Sequence, residues 1–216
     1  MTFAPDKLVI ATRNRGKVKE FAMIFQPLGI QVQGLFDMTG FTLPAVDEDQ
    51  DTFLGNAAKK ARITAEALSI PVLADDSGLC VEALGGEPGV YSARYAGMHA
   101  TDQANNEKLL AELAQRTQPQ TNQAGIIIWS AAQFRCALFL VDPHRRTAWQ
   151  AEGACDGVII GEPRGSDGFG YDPLFYIPAL RKTFAQLAAS EKSLLSHRGM
   201  ASRELIKQLQ REGLSD

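Results

Sequence analysis

Cysteine is scarce in this sequence of 216 residues: Cys80, Cys136 and Cys155 are an odd number and show no CxxC spacing. That excludes a disulfide framework and a cysteine-based zinc site, and the three thiols are expected to pack as small apolar groups. Long hydrophobic runs are absent as well. The longest, at 126–129 and 137–141, fall far short of the roughly 18 residues of a membrane span, so no membrane partner is expected. Residues 1–7 lack the charged start and apolar core of a signal peptide, and a reducing cytoplasm is the expected location. Neither sign of charge dominates: 22 basic against 25 acidic residues give a formal net charge of −3. A general basic surface that grips a nucleic acid polymer is therefore excluded, although a local basic pocket is not.

What is present is an ordinary globular balance, 45% hydrophobic and 22% charged, arranged as strands interleaved with helices. The run at 8–11 reads as a strand, and Val18, Phe21, Ile24, Phe25 and Leu28 fall at helical spacing until Gly29. A second strand is expected over 30–35, then a loop over 38–51 that carries Pro44 and the acids Asp47, Glu48, Asp49 and Asp51. Asp51 or Thr52 caps a helix that buries Phe53, Ala57, Ala61, Ala65 and Leu68 and turns Lys59, Lys60 and Arg62 largely away. Pro71 ends it and a buried strand begins at Val72. A Gly-rich, hairpin-like stretch is expected over 75–97, a helix over 105–113 and a polar linker over 117–123. Strands over 134–141 and 147–153 read as a hairpin, followed by a Gly-rich loop over 161–172 and a last helix that buries Ala201, Leu205 and Leu209. The pattern predicts the α/β class with a mixed sheet in a single domain over 1–216, and ligands in such sheets gather beyond the carboxyl ends of strands.

Five segments carry groups suited to chemistry. Thr12-Arg13-Asn14-Arg15-Gly16-Lys17 lies between a strand and a helix N-terminus, where backbone N–H groups and the helix dipole favour phosphate. It is not a Walker A loop, because Ala11 stands where that motif needs Gly and Val18 where it needs Ser or Thr; a solvated basic turn is the alternative. Ala74-Asp75-Asp76-Ser77-Gly78 places two carboxylates at the expected end of a strand, pointing to opposite faces. One of them suits Mg²⁺ or a general base, and a simple capped turn is the alternative. One of the loop acids at 47–51 is a candidate to complete a metal site, against a solvated acidic loop. Phe169 and Tyr171 sit among glycines in Gly168-Phe169-Gly170-Tyr171-Asp172-Pro173, where one ring offers a base-stacking platform and the other suits the core. Lys192, His197 and Arg198 gather donors ahead of the last helix.

In order, Thr12-x-Asn14-x-Gly16-Lys17, Thr52-Phe53-x-x-Asn56-Ala57, Ala74-Asp75-Asp76-Ser77-Gly78-Leu79, the segment Gly89-Val90-Tyr91-Ser92-Ala93-Arg94-Tyr95, Gly168-Phe169-Gly170-Tyr171-Asp172-Pro173 and Glu191-Lys192-Ser193 with Ser196-His197-Arg198-Gly199 resemble the inosine/xanthosine triphosphate pyrophosphatase family. The resemblance spans residues 8 to about 205. It implies an elongated mixed sheet with flanking helices, two lobes enclosing a nucleotide cleft, and a homodimer. It also implies Mg²⁺-dependent hydrolysis of dITP, ITP or XTP to the monophosphate and pyrophosphate, cleansing the nucleotide pool. Carried over by position, Thr12, Asn14, Gly16 and Lys17 hold the triphosphate, Asp76 is the proton acceptor and a metal ligand, and Glu48 is the second metal carboxylate. Ser77 touches the substrate, while Phe169, Gly170, Tyr171, Asp172, Lys192, His197 and Arg198 surround the base. Arg13 departs from the family pattern, where many relatives have Gly, and 122–133 is a stretch without an evident counterpart. Two other readings are a nucleotide-binding sensor without turnover and a pyrophosphatase for other modified nucleotides.

Overall fold

In a computed structural model that describes residues 6–211, the first apolar run forms β1 (Lys7–Ile10), and the polar turn after it leads into α1 (Arg15–Phe25). A short 3-10 turn ends at Gly29, whose φ of 76° reverses the chain into β2 (Gln31–Gly34). Thr52 rather than Asp51 caps α2 (Phe53–Leu68), its hydroxyl accepting from the Gly55 N–H at 3.0 Å. Then β3 (Val72–Val81) runs for ten residues. It corrects the expectation of a hairpin-like stretch from residue 75: Leu79 and Val81 are buried, so the strand continues through the acidic pair. Asp75 and Asp76 lie inside a strand, not at its end.

Beyond it come α3 (Asp102–Arg116), β4 (Gln120–Thr121), β5 (Ile127–Asp142) and β6 (Thr147–Ile160). The linker expected at 117–123 thus contains a short strand, which pairs antiparallel with β5. The unplaced stretch 122–133 is the turn between these strands and the first half of β5, with the Asn122 side chain accepting from the N–H groups of Ala124 and Ile126 at 2.9 Å each. Both hairpin strands are longer than their apolar runs suggest. The chain closes with β7 (Phe175–Ile177), β8 (Lys182–Thr183), α4 (Ala189–Leu195) and α5 (His197–Arg211). The eight strands form one sheet in the order β2-β1-β3-β5-β6-β7-β8, with β4 beside β5. It is mixed: β1 runs parallel to β2 and β3, while β6, β7 and β8 pair antiparallel. The α/β expectation holds. Among the described residues no helix is long and apolar enough to cross a membrane.

The chain divides into two compact units. The first contains residues up to Asp76, Cys136–Gly153 and the last helix. Its strands alternate strictly: Leu8, Ile10 and Leu73 pack with Phe21, Phe25, Ala201 and Leu205 of α1 and α5, whereas Val9, Val72 and Ala74 pack with Ala57, Ala61, Ala65 and Leu68 of α2. Alanines every fourth residue let α2 lie close on the sheet. The second unit, Ser77–Arg135 with Ala154–Ser196, centres on Leu109 and Leu113 of α3 and on the rings of Phe134, Phe175 and Phe184. Those three rings sit 4.6 to 5.6 Å apart in tilted and stacked pairs.

Candidate active site

Strand alternation carries the acidic pair of β3 to two different neighbourhoods of the first unit. Asp75 shares the parity of Leu73 and so meets the start of α1, α5 and β5. Its Oδ2 accepts from Lys17 Nζ at 2.6 Å and lies 3.5 Å from Arg198 Nε, and its Oδ1 accepts from the Cys136 thiol at 3.0 Å. Arg198 also pairs with Glu20. Two carboxylates thus face two cations in a balanced network, and Asp75 is only 1% exposed. Burial pushes its carboxyl upward, but Arg198 and Lys17 overcome that and hold it well below the ordinary carboxylate range. The same carboxylates outweigh burial at Arg198 and keep its guanidinium more firmly protonated than usual.

Asp76 shares the parity of Val72 and Ala74 and faces α2. Its Oδ2 accepts from Asn56 Nδ2 and its Oδ1 from Lys60 Nζ, both at 3.1 Å. Lys60 spends its three donors on Asp76, on the backbone carbonyl of Asp75 at 2.9 Å and on Glu48. This corrects the expectation that Lys60 points away from the buried stripe, because Asn56 and Lys60, four residues apart, form a polar row of α2 aimed at the sheet. Asn56 also fixes the acidic loop, accepting from Gln50 N–H at 3.0 Å and donating to the Gln50 carbonyl. Of the four loop acids it is Glu48 that the structure brings to Asp76, joined through one ammonium. Burial first, and then Glu48, raise the Asp76 carboxyl above its usual value against the pull of Lys60 and Lys17. Asp76 and Glu48 hold Lys60 protonated in spite of its burial.

Thr12 and Asn14 build the turn that precedes α1. The Thr12 hydroxyl accepts from Asn14 N–H at 3.2 Å, and Asn14 Oδ1 caps the helix by accepting from Lys17 N–H at 3.1 Å. That N–H is consumed by the cap, and the Lys17 ammonium, which shows no acidic partner within the loop sequence, finds one in Asp75 on β3. Arg13 is exposed, so its long side chain is carried in solvent without crowding the turn. Ser77 follows Asp76 on β3 and is half-buried.

In the second unit, residues 168–172 and α4 form a separate cluster. Asp172 Oδ2 accepts from Phe169 N–H at 2.9 Å and from Lys192 Nζ at 2.5 Å, and the same ammonium lies 5.0 Å from the centre of the Phe169 ring. Gly168, at φ 81°, is required here, since a Cβ would overlap Asp172 Oδ2. The two rings part company. Phe169 stays half-buried on the loop, whereas Tyr171 is buried in the core and its hydroxyl donates to the Ser92 carbonyl at 2.9 Å. Gly170 lies between them. His197 and Arg198, at the start of α5, are buried in the first unit, and Arg198 has the partners described above. Sequence reasoning missed Lys60, Glu20 and Cys136. Only the Asn56/Lys60 spacing offered a signal.

Taken as oxygen donors, Asp76 and Glu48 around one shared positive charge fit a hard divalent cation, which needs one or two carboxylates and completes its shell with water and phosphate. Among the described residues no group of three or more His, Cys, Asp or Glu side chains is arranged to hold a metal ion, so Asp76 and Glu48 offer two carboxylates at most.

A family model for the Ham1 family matches residues 8–208. A dITP/XTP pyrophosphatase of Desulforamulus reducens is 48% identical over 205 residues, 95% of this chain and 96% of that protein. One from Geobacillus kaustophilus is 47% identical over 202 residues, 94% and 93% of the two chains. Among solved structures, a HAM1 protein from Coxiella burnetii matches with a TM-score of 0.80 at 36% identity, covering 95% of this chain and 98% of that one.

Proposed function

The chain belongs to the Ham1 family, and from that premise we propose that it hydrolyses non-standard purine nucleoside triphosphates, dITP, ITP and XTP, to the monophosphate and pyrophosphate. The observation that carries this reading is the convergence of Asp76 and Glu48 on Lys60, beside the Lys17 loop. A carboxylate made more basic than usual, set among cations, suits a general base that deprotonates water for attack on a phosphoanhydride. Asp76 takes the proton of the attacking water. The water oxygen bonds to the α-phosphorus, the bond to the bridging oxygen breaks, and pyrophosphate leaves with its charge met by Lys17 and the N-terminal end of α1. Asp76 and Glu48 would hold the divalent metal of this enzyme class, assigned here as Mg²⁺ from the all-oxygen donor set; when bound it neutralises phosphate charge.

Thr12, Asn14 and Gly16 shape the phosphate loop, and Ser77 contacts substrate from the next position of β3. Phe169 offers a π-face to the purine, with Gly170, Tyr171, Asp172 and Lys192 forming the ledge that supports it. His197 and Arg198 read the 6-oxo group; Glu20 and Asp75 orient the Arg198 fork, which carries five N–H donors. A 6-amino purine turns hydrogens toward those donors and leaves buried polar groups unmatched, so it is rejected. We also assign a homodimer, checked by light scattering, and a reducing cytoplasm, which keeps the Cys136 thiol available to donate to Asp75.

The deciding experiment is incubation with dITP and Mg²⁺, with products resolved chromatographically. Equimolar dIMP and pyrophosphate are expected. Binding without turnover makes the protein a sensor instead, and release of inorganic phosphate with dIDP places the attack at the wrong phosphorus.

A further inference from the structure

The loop that carries Phe169 is gripped by a helix that the mechanism above does not use. Gly170 is caught at both ends of its backbone. Its N–H donates to Asp102 Oδ2 at 2.7 Å, and its carbonyl accepts from Asn106 Nδ2 at 3.0 Å. Asp102 and Asn106 stand four residues apart on one face of α3, directly behind the Thr101 cap, and α3 is anchored in the core of its unit by Leu109 and Leu113. Gly170 holds a φ of 64°, and the two bonds fix both its peptide groups in that conformation. Asn106 keeps this donor at a cost: its Oδ1 is buried with no hydrogen-bond partner among the described residues. A fold selected for stability alone gains little from such an amide, because an unsatisfied buried acceptor opposes folding. Asn105 does a similar service next door, accepting from Ala96 N–H at 2.8 Å and donating to the Ala93 carbonyl.

We infer that Asp102 and Asn106 are positioning residues for base recognition: they clamp Gly170 and thereby hold the Phe169 ring ready for a purine. This rests on the reading of Phe169 as the stacking platform. Without the clamp the loop must be ordered at the moment of binding, and that entropy is subtracted from affinity for the base-bearing ligand only. Phosphate contacts belong to Lys17 and α1 and do not pass through α3.

The test compares dissociation constants for inosine monophosphate and for pyrophosphate, by calorimetry with Mg²⁺ in excess, in the full chain and in Asp102→Ala, Asn106→Leu, Asp102→Asn and Phe169→Ala. Asp102→Ala and Asn106→Leu are expected to weaken inosine monophosphate about tenfold and leave pyrophosphate unchanged, with KM for dITP raised and kcat retained. Asp102→Asn, which keeps an acceptor, should recover most of the loss, and it stands in for Asp102→Ala if the latter folds poorly by shifting the constant in the same direction to a smaller degree. If Phe169→Ala weakens inosine monophosphate while the α3 variants do not, the clamp is overturned and the platform stands. If Phe169→Ala has no effect, the platform reading itself fails. Equal weakening of both ligands in the α3 variants makes the two bonds merely structural.

Discussion

Asp75 and Asp76 are consecutive, chemically identical and both buried, yet one is held more acidic than usual and the other more basic. The difference lies in the company each keeps. Asp75 receives two cations and a thiol, with Glu20 completing a balanced set, so its charge is fully matched. Asp76 shares the Lys60 ammonium with a second carboxylate, so burial and the Glu48 charge outweigh the cations near it. A matched carboxylate is a structural pin. An under-matched one is ready to take a proton or a cation.

The comparison breaks most visibly at Asp76. Asp76→Asn is expected to lower turnover by about 10² to 10⁴ in pyrophosphate release. Because the folded protein holds this carboxyl above its unfolded value, the ionised form disfavours folding at neutral pH, and Asp76→Asn should melt at a higher temperature than the native chain. Near-native turnover, or a fall in melting temperature, refutes the contrast.

Asp75→Asn is expected to do the reverse. It strands Lys17 and Arg198 beside a neutral amide and should cost about 3 to 5 kcal/mol in denaturant unfolding. The pH dependence has a definite sign. The folded value lies below the unfolded 3.8, so the stabilisation is present above pH 3.8 and is lost as pH falls toward the folded value. The acid limb of the native stability curve should therefore flatten in Asp75→Asn, and an unaltered limb would show that Asp75 contributes no such linkage.

Lys17→Ala touches both the pin and the phosphate loop. Activity should fall about 10²- to 10³-fold for every triphosphate alike, because the lost charge faces the leaving group. A change confined to the preference between bases would place Lys17 elsewhere. The smallest effects separate the two rings of the 168–172 loop. Phe169→Ala should weaken dITP and dATP by similar factors, within about 1 to 3 kcal/mol of stacking. Tyr171→Phe, which loses only the bond to the Ser92 carbonyl, should lower stability by about 1 kcal/mol and leave kcat/KM nearly unchanged.

Much of this was legible beforehand, for local reasons. Apolar spacing placed β1, α1, α2 and α5, a hydroxyl before Phe53 announced a cap, and period-2 alternation required that Asp75 and Asp76 look opposite ways. The motif order along the chain was enough to mark the family resemblance. The extent of β3, β5 and β6 was not legible, since small and polar residues (Asp75 to Gly78, Ser130 to Gln133, Ala154 to Gly157) interrupt their apolar stretches and become strand only by pairing with neighbours distant in sequence.

Nor did the sequence tell which neighbour each aspartate meets. Cys136 comes to Asp75 across 61 residues, Asp102 to Gly170 across 68, and Glu20 to Arg198 across 178. Lys60 looked like one more solvated lysine on the polar side of a helix until the sheet beneath α2 supplied two carboxylates. The sequence by itself determined which residue types stand on which face of each element. Only the tertiary structure decided which charges share a dry space, and in such a space partners at about 3 Å, rather than residue identity, set whether a carboxyl is a pin or a base.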